Sequence, residues 1–163
     1  MLHAANHVQR HTTHDLFWFC TVGALLIALG VLGSSPRFVA VGLSWVTFGT
    51  PLWVLDLATG GELLWTSLGT HLVAPAVAIL ALRRRAWPRG SWLVAWLAAV
   101  VLLLGTRVAT PPAANVNVAC AVPSGWIAWF PSHPWYLTLL LAAAASTFAL
   151  VEVTARRFLP ASG

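Results

Sequence analysis

Residues 62–83 read ELLWTSLGTHLVAPAVAILALR, twenty uncharged residues held between Glu62 and Arg83. A helix of about 20 apolar residues crosses the ~30 Å hydrocarbon layer of a bilayer. This stretch therefore has the length and composition of a membrane span, with one imidazole, His71, inside it. The pattern recurs along the chain. Nine arginines and four carboxylates, with no lysine, are the only formal side-chain charges in 163 residues. They leave further uncharged stretches at 16–36, 38–55, 90–106 and 108–151. Hydrophobic residues make up 59% of the chain and mean hydropathy is +0.81, whereas soluble domains carry roughly a quarter charged residues. A soluble globular domain, a disordered chain and a disulfide scaffold are excluded.

Every backbone N–H and C=O in lipid must be satisfied within its own segment, so these stretches are expected to be helices. A β-barrel would alternate polarity over ~10-residue segments, but Leu25-Leu26-Ile27 and Val100 to Leu104 run continuously apolar. The expected architecture is an all-α polytopic membrane bundle of about five spans, at 16–34, 38–58, 62–82, 91–107 and 134–154. A polar tail (1–15) precedes this single domain (16–158), a long loop (108–133) interrupts it, and a short tail (159–163) closes it. Ser34-Ser35-Pro36, Gly60-Gly61 and Trp87-Pro88-Arg89-Gly90 supply the breaks. The first span has no basic region before it and no small-x-small cleavage site, so it does not read as a cleavable signal.

The arginines set an expected orientation. With the N-terminus outside, Arg37, Arg83, Arg84, Arg85, Arg89, Arg156 and Arg157 fall inside, and only Arg10 and Arg107 outside. That bias predicts N-out, C-in, most simply in a bacterial cytoplasmic membrane. It also accounts for the isoelectric point near 11.1: the arginines face anionic headgroups at helix ends, and no nucleic-acid partner is expected. Trp18, Trp65, Trp126, Trp129 and Trp135 near the outer boundary, with Trp87 and Trp92 near the inner one, read as an aromatic belt. Membrane lipids are the expected partners, with a membrane-protein partner or a second copy alongside them.

Polar chemistry gathers on the outer side. Asp56 and Glu62 flank the Gly60-Gly61 turn, and Arg107 and His133 map to the same surface, forming either solvated helix ends or a polar site at the mouth of the bundle. Glu152 stands four residues before Arg156 and reads as a local ion pair. His71 lies deeper. Counted from the turn, it and Thr47 on the preceding helix both lie about 12 residues in, roughly 18 Å deep. An imidazole and a hydroxyl at matched depth can form a base–nucleophile pair, or the imidazole can simply join helices. Pro51 and Pro75 kink the two helices involved.

His3, His7, His11 and His14 recur at spacings of four, four and three, with Asp15 following. On a helix they share a face, and His7, His11, His14 and Asp15 could hold a divalent metal such as Zn, Cu or Ni; a solvated tail is the alternative. Cys20 and Cys120 are the only cysteines, both on the expected outer side, where a disulfide between them is open. The loop segment Gly125-Trp126-Ile127-Ala128-Trp129-Phe130 should lie in the interface or dip back as a lid near Asp56 and Glu62.

Ser44-Trp45-Val46-Thr47-Phe48 with Thr70-His71-Leu72-Val73-Ala74-Pro75 resembles the androgen-induced-gene-1-like membrane hydrolases and their bacterial relatives. Leu104-Gly105-Thr106 followed by Pro134-Trp135-Tyr136-Leu137 is similar to the closing segment of the YwaF-like integral membrane family. The first resemblance implies a lipid- or acyl-directed enzyme with Thr47 as nucleophile and His71 as base. Here the Thr and His fall on consecutive helices, whereas the hydrolases place a further helix between them. Three functions therefore stand open: that enzyme, a non-enzymatic subunit or assembly factor of a membrane complex, and a small carrier or metal-handling protein with the His-rich tail as collector.

Overall fold

The structure is a computed structural model that describes residues 16–59 and 63–159. Among the described residues the regular structure is all helical. Helix α1 spans Phe19–Leu32, α2 Pro36–Ala58, α3 Trp65–Leu82, α4 Ser91–Ala109 and α5 His133–Phe158. Short 3-10 turns at Pro112–Ala114, Val116–Val118 and Ser124–Trp129 lie between α4 and α5. Helices α2 to α5 are long and apolar enough to cross a membrane. The expected span 16–34 is a helix of 14 residues, about 21 Å long at 1.5 Å per residue.

The starts of α2 and α5 use the same local chemistry. Ser35 precedes Pro36 and its Oγ accepts from the Phe38 N–H; Ser132 precedes His133-Pro134 and its Oγ accepts from the Trp135 N–H. Each serine satisfies a donor that the first helical turn leaves unpaired, and proline costs nothing there because its missing N–H would have had no partner. The α1–α2 pair can then pack backbone to backbone. A Cβ built on Gly42 would lie 2.4 Å from the Gly23 carbonyl oxygen, and one on Gly23 3.0 Å from the Gly42 carbonyl oxygen. No other residue type allows that approach.

Helix α2 is the centre of the bundle: half of its spanning window is buried, against 17–22% for the other three long helices. One of its faces carries Val39, Ala40, Leu43 and Val46 against Ile27 of α1, Ala78 and Leu82 of α3 and Ala155 of α5. The other carries Val41 and Trp45 against Ala95 and Ala99 of α4 and Ala144 and Phe148 of α5. Indole donors tie the layers together. Trp45 Nε1 donates to the Ala95 carbonyl at 2.9 Å, and Trp96 Nε1 to the Leu141 carbonyl at 3.1 Å.

The charges sort by end. Arg85 donates from Nη1 to the Ser34 carbonyl in the α1–α2 turn. At the same end, Glu152 accepts from the backbone N–H groups of Gly90 and Trp92, each at 2.9 Å. Glu152 is thus more than the local partner of Arg156, which it meets at 3.9 Å: its buried carboxylate caps the N-terminus of α4 from across the bundle. Trp87 is also placed differently from the aromatic belt. It is buried in the core with Leu82 and Val39, while Trp65, Trp129 and Trp135 are exposed.

Candidate functional site

Two polar residues inside the apolar spans meet between α2 and α3. His71 is buried, stacks on Trp53 with ring centroids 4.4 Å apart and planes 4° from parallel, and brings Nδ1 to 3.1 Å from Thr50 Oγ1. Thr50 Oγ1 also donates to the Val46 carbonyl at 2.7 Å. A hydroxyl carries one proton and a carbonyl can only accept, so while that proton is on the Val46 side the oxygen can only accept from His71. That arrangement requires the tautomer with hydrogen on Nδ1; with hydrogen on Nε2 instead, Nδ1 would take the hydroxyl proton.

The backbone around His71 is unusual for a traceable reason. Residues Gly69–Val73 form a π turn, with the Ala74 N–H bonded to the Gly69 carbonyl, five residues back. Pro75 has no N–H for the His71 carbonyl, and its ring crowds that oxygen. Widening the preceding turn by one residue relieves the conflict. Pro51 plays the corresponding part in α2: it cannot bond the Thr47 carbonyl, and Thr50 beside it bonds back to Val46 through its side chain instead.

The partner of His71 is thus Thr50 and not Thr47, which is exposed on the surface of α2. The depth count that matched Thr47 with His71 assumes that α3 begins directly after the Gly60-Gly61 turn. The helix begins at Trp65, so His71 is about 9 Å along it rather than about 18 Å. Its partner moves correspondingly toward the end of α2.

The outer polar residues are placed separately. Asp56 is exposed in the last turn of α2. Arg107 reaches the Ala119 carbonyl from Nη1 at 3.4 Å, and His133 Nε2 donates to the Val118 carbonyl at 3.0 Å. Both hold the 110–132 connection down. Glu62 lies outside the described residues, as do His7, His11, His14 and Asp15 of the expected metal cluster. Among the described residues no three His, Cys, Asp or Glu side chains stand together as a metal site.

Cys20 and Cys120 stand as free thiols in the structure. The Cys20 side chain packs into the space over Gly49 on α2, where a Cβ would lie 2.1 Å from its sulfur. Cys120 is held in the loop, its N–H bonded to Asn115 Oδ1 at 3.0 Å. The two asparagines of that loop do most of its bonding. Asn117, at φ 55°, accepts from the Phe19 N–H at 2.9 Å and donates to the Phe17 carbonyl at 2.8 Å. It is the cap of α1, supplied from 98 residues away in sequence. The aromatic segment beyond it leans on α5: Trp126 and Phe130 pack against Tyr136, with Trp129 and Ile127 exposed.

Sequence reasoning missed Thr50, Trp53, Asn117 and the reach of Glu152. Thr50 had a signal, since a Thr beside an intrahelical Pro commonly bonds back one turn. Trp53 follows three residues later on the same face. Asn117 and Glu152 act through long-range contacts that no local pattern encodes. Comparison of the chain with protein-family models, with curated proteins and with solved structures finds no match to any of them.

Proposed function

We propose that this chain is a non-enzymatic subunit or assembly partner in a membrane complex, crossing a bacterial cytoplasmic membrane with its N-terminus outside and C-terminus inside. In this reading α1, extended by Leu16–Trp18, is a fifth, short span. The orientation is supported by the seven arginines at the Glu152 end of the bundle against Arg107 at the other. The function is carried by one observation: the Thr50 hydroxyl lies within hydrogen-bonding distance of both the Val46 carbonyl of its own helix and His71 Nδ1 of the next, so the pair can bond α2 to α3. In this reading His71 donates from Nδ1 to the hydroxyl oxygen, a direction that joins the helices and sets no base against the hydroxyl. The hydroxyls of Ser44, Thr106 and Ser146 likewise bond to carbonyls of their own helices.

The π turn at His71 favours a second reading. Such turns are frequent at functional sites, and a lipid- or acyl-directed enzyme would use Thr50, in place of Thr47, with His71. A serine-hydrolase-type fluorophosphonate probe separates the two. The subunit reading expects no labelling that depends on Thr50 or His71, and co-migration with a defined partner in mild detergent. Labelling of the wild type that disappears in both Thr50→Ala and His71→Ala would overturn it.

A further inference from the structure

The arginine-rich end of the bundle carries a cleft that neither helix packing nor the His71 pair accounts for. It measures about 160 Å³ and lies where the α1–α2 turn meets the end of α3. Its floor is apolar and small, with Gly30, Val39 and Ala81 among its residues, and its rim holds Arg84 and Arg85. Pro36, the first residue of α2, also lines it. The N-terminal end of a 23-residue helix therefore adds positive partial charge to the two guanidinium groups. Arg37 and Arg83 stand exposed nearby in sequence. The one described carboxylate at this end, Glu152, is already bonded to Gly90 and Trp92 and accompanied by Arg156.

We propose that this cleft holds one anionic phospholipid of the surrounding bilayer. Its phosphodiester lies between Arg84, Arg85 and the start of α2, and the first carbons of an acyl chain lie on Gly30, Val39 and Ala81. Charge alone would attract anionic lipid diffusely around all seven arginines. The cleft adds a shaped apolar floor directly beneath two of them, and basic pockets between membrane helices are where headgroups are held individually. Arg85 is pre-set for the task, because its bond to the Ser34 carbonyl fixes the guanidinium at the rim.

The test is native mass spectrometry of the full chain in neutral detergent with added phosphatidylglycerol or phosphatidylcholine. The expected result is one retained phosphatidylglycerol and no comparable phosphatidylcholine adduct. Arg84→Gln with Arg85→Gln should weaken retention about 25-fold, about fivefold for each arginine. Arg156→Gln with Arg157→Gln, the same charge loss at the same end, should leave retention nearly unchanged. Ala81→Leu fills the floor without altering charge and should also displace the lipid. Equal losses in the two double variants, retention unaffected by Ala81→Leu, or displacement of the adduct by millimolar inorganic phosphate in place of lipid would overturn the proposal.

Discussion

Glu152, near the end of α5, bonds the backbone N–H groups of Gly90 and Trp92, so the carboxylate of one helix caps the start of another. The contact spans some 60 residues of sequence. It also explains why an acid is kept at an end of the bundle otherwise occupied by arginines.

Removing that carboxylate should therefore cost more than a surface ion pair. Glu152→Ala leaves two N–H groups without acceptors and should destabilise the protein by about 3 kcal/mol, each bond to a charged group being worth roughly 1.5 kcal/mol. Glu152→Gln retains one acceptor oxygen and should fall between wild type and Ala. Arg156→Ala should change stability by less than about 1 kcal/mol, because that partner is half exposed. Thermal unfolding in a mild detergent gives the ranking. Equal effects of Glu152→Ala and Arg156→Ala would reduce the contact to a surface pair.

The glycines make an opposed pair of expectations. Gly42→Ala drives a methyl group into the Gly23 carbonyl and should destabilise by about 1–3 kcal/mol. Gly105→Ala, where nothing lies within 4 Å, should be neutral or stabilising by up to about 1 kcal/mol, since alanine suits a helix better. The two midpoints measured side by side decide whether close α1–α2 approach matters.

Asn117 should govern the outer end of α1. Asn117→Ala removes two hydrogen bonds at a buried site, worth about 1–3 kcal/mol together. It should speed hydrogen exchange at the Phe19 amide and expose the 112–121 segment to protease. Unchanged exchange at Phe19 would show that the loop does not hold the helix.

The cysteines give a chemical check. After unfolding without reductant, both Cys20 and Cys120 should alkylate. In the folded protein Cys20, seated over Gly49, should react more slowly than in a variant whose α1–α2 contact is loosened. A reductant-dependent change in alkylation would restore the disulfide.

The membrane class was legible because it depends on a physical threshold: uncharged stretches near 20 residues, bounded by arginines, leave few alternatives to spanning helices. The boundaries of α2, α4 and α5 follow from Ser-Pro starts and the Pro88–Gly90 break, which act locally. His71 was legible as a polar residue within an apolar run. Its partner was not, because the pairing depends on where α3 resumes after Gly60-Gly61 and on the π turn that Pro75 imposes. A displacement of a few residues there exchanges Thr47 for Thr50. Asn117 and Glu152 lie further beyond local reading, since each serves a helix distant in sequence.

The proton between Thr50 and His71 carries the functional reading, and 15N NMR of histidine-labelled protein in bilayers observes it directly. The helix-joining account predicts a His71 ring protonated at Nδ1, coupled to the Thr50 hydroxyl, with the signal altered in Thr50→Val. A neutral ring protonated at Nε2 with a bare Nδ1 facing Thr50 would place a base against a nucleophile and contradict the helix-joining account.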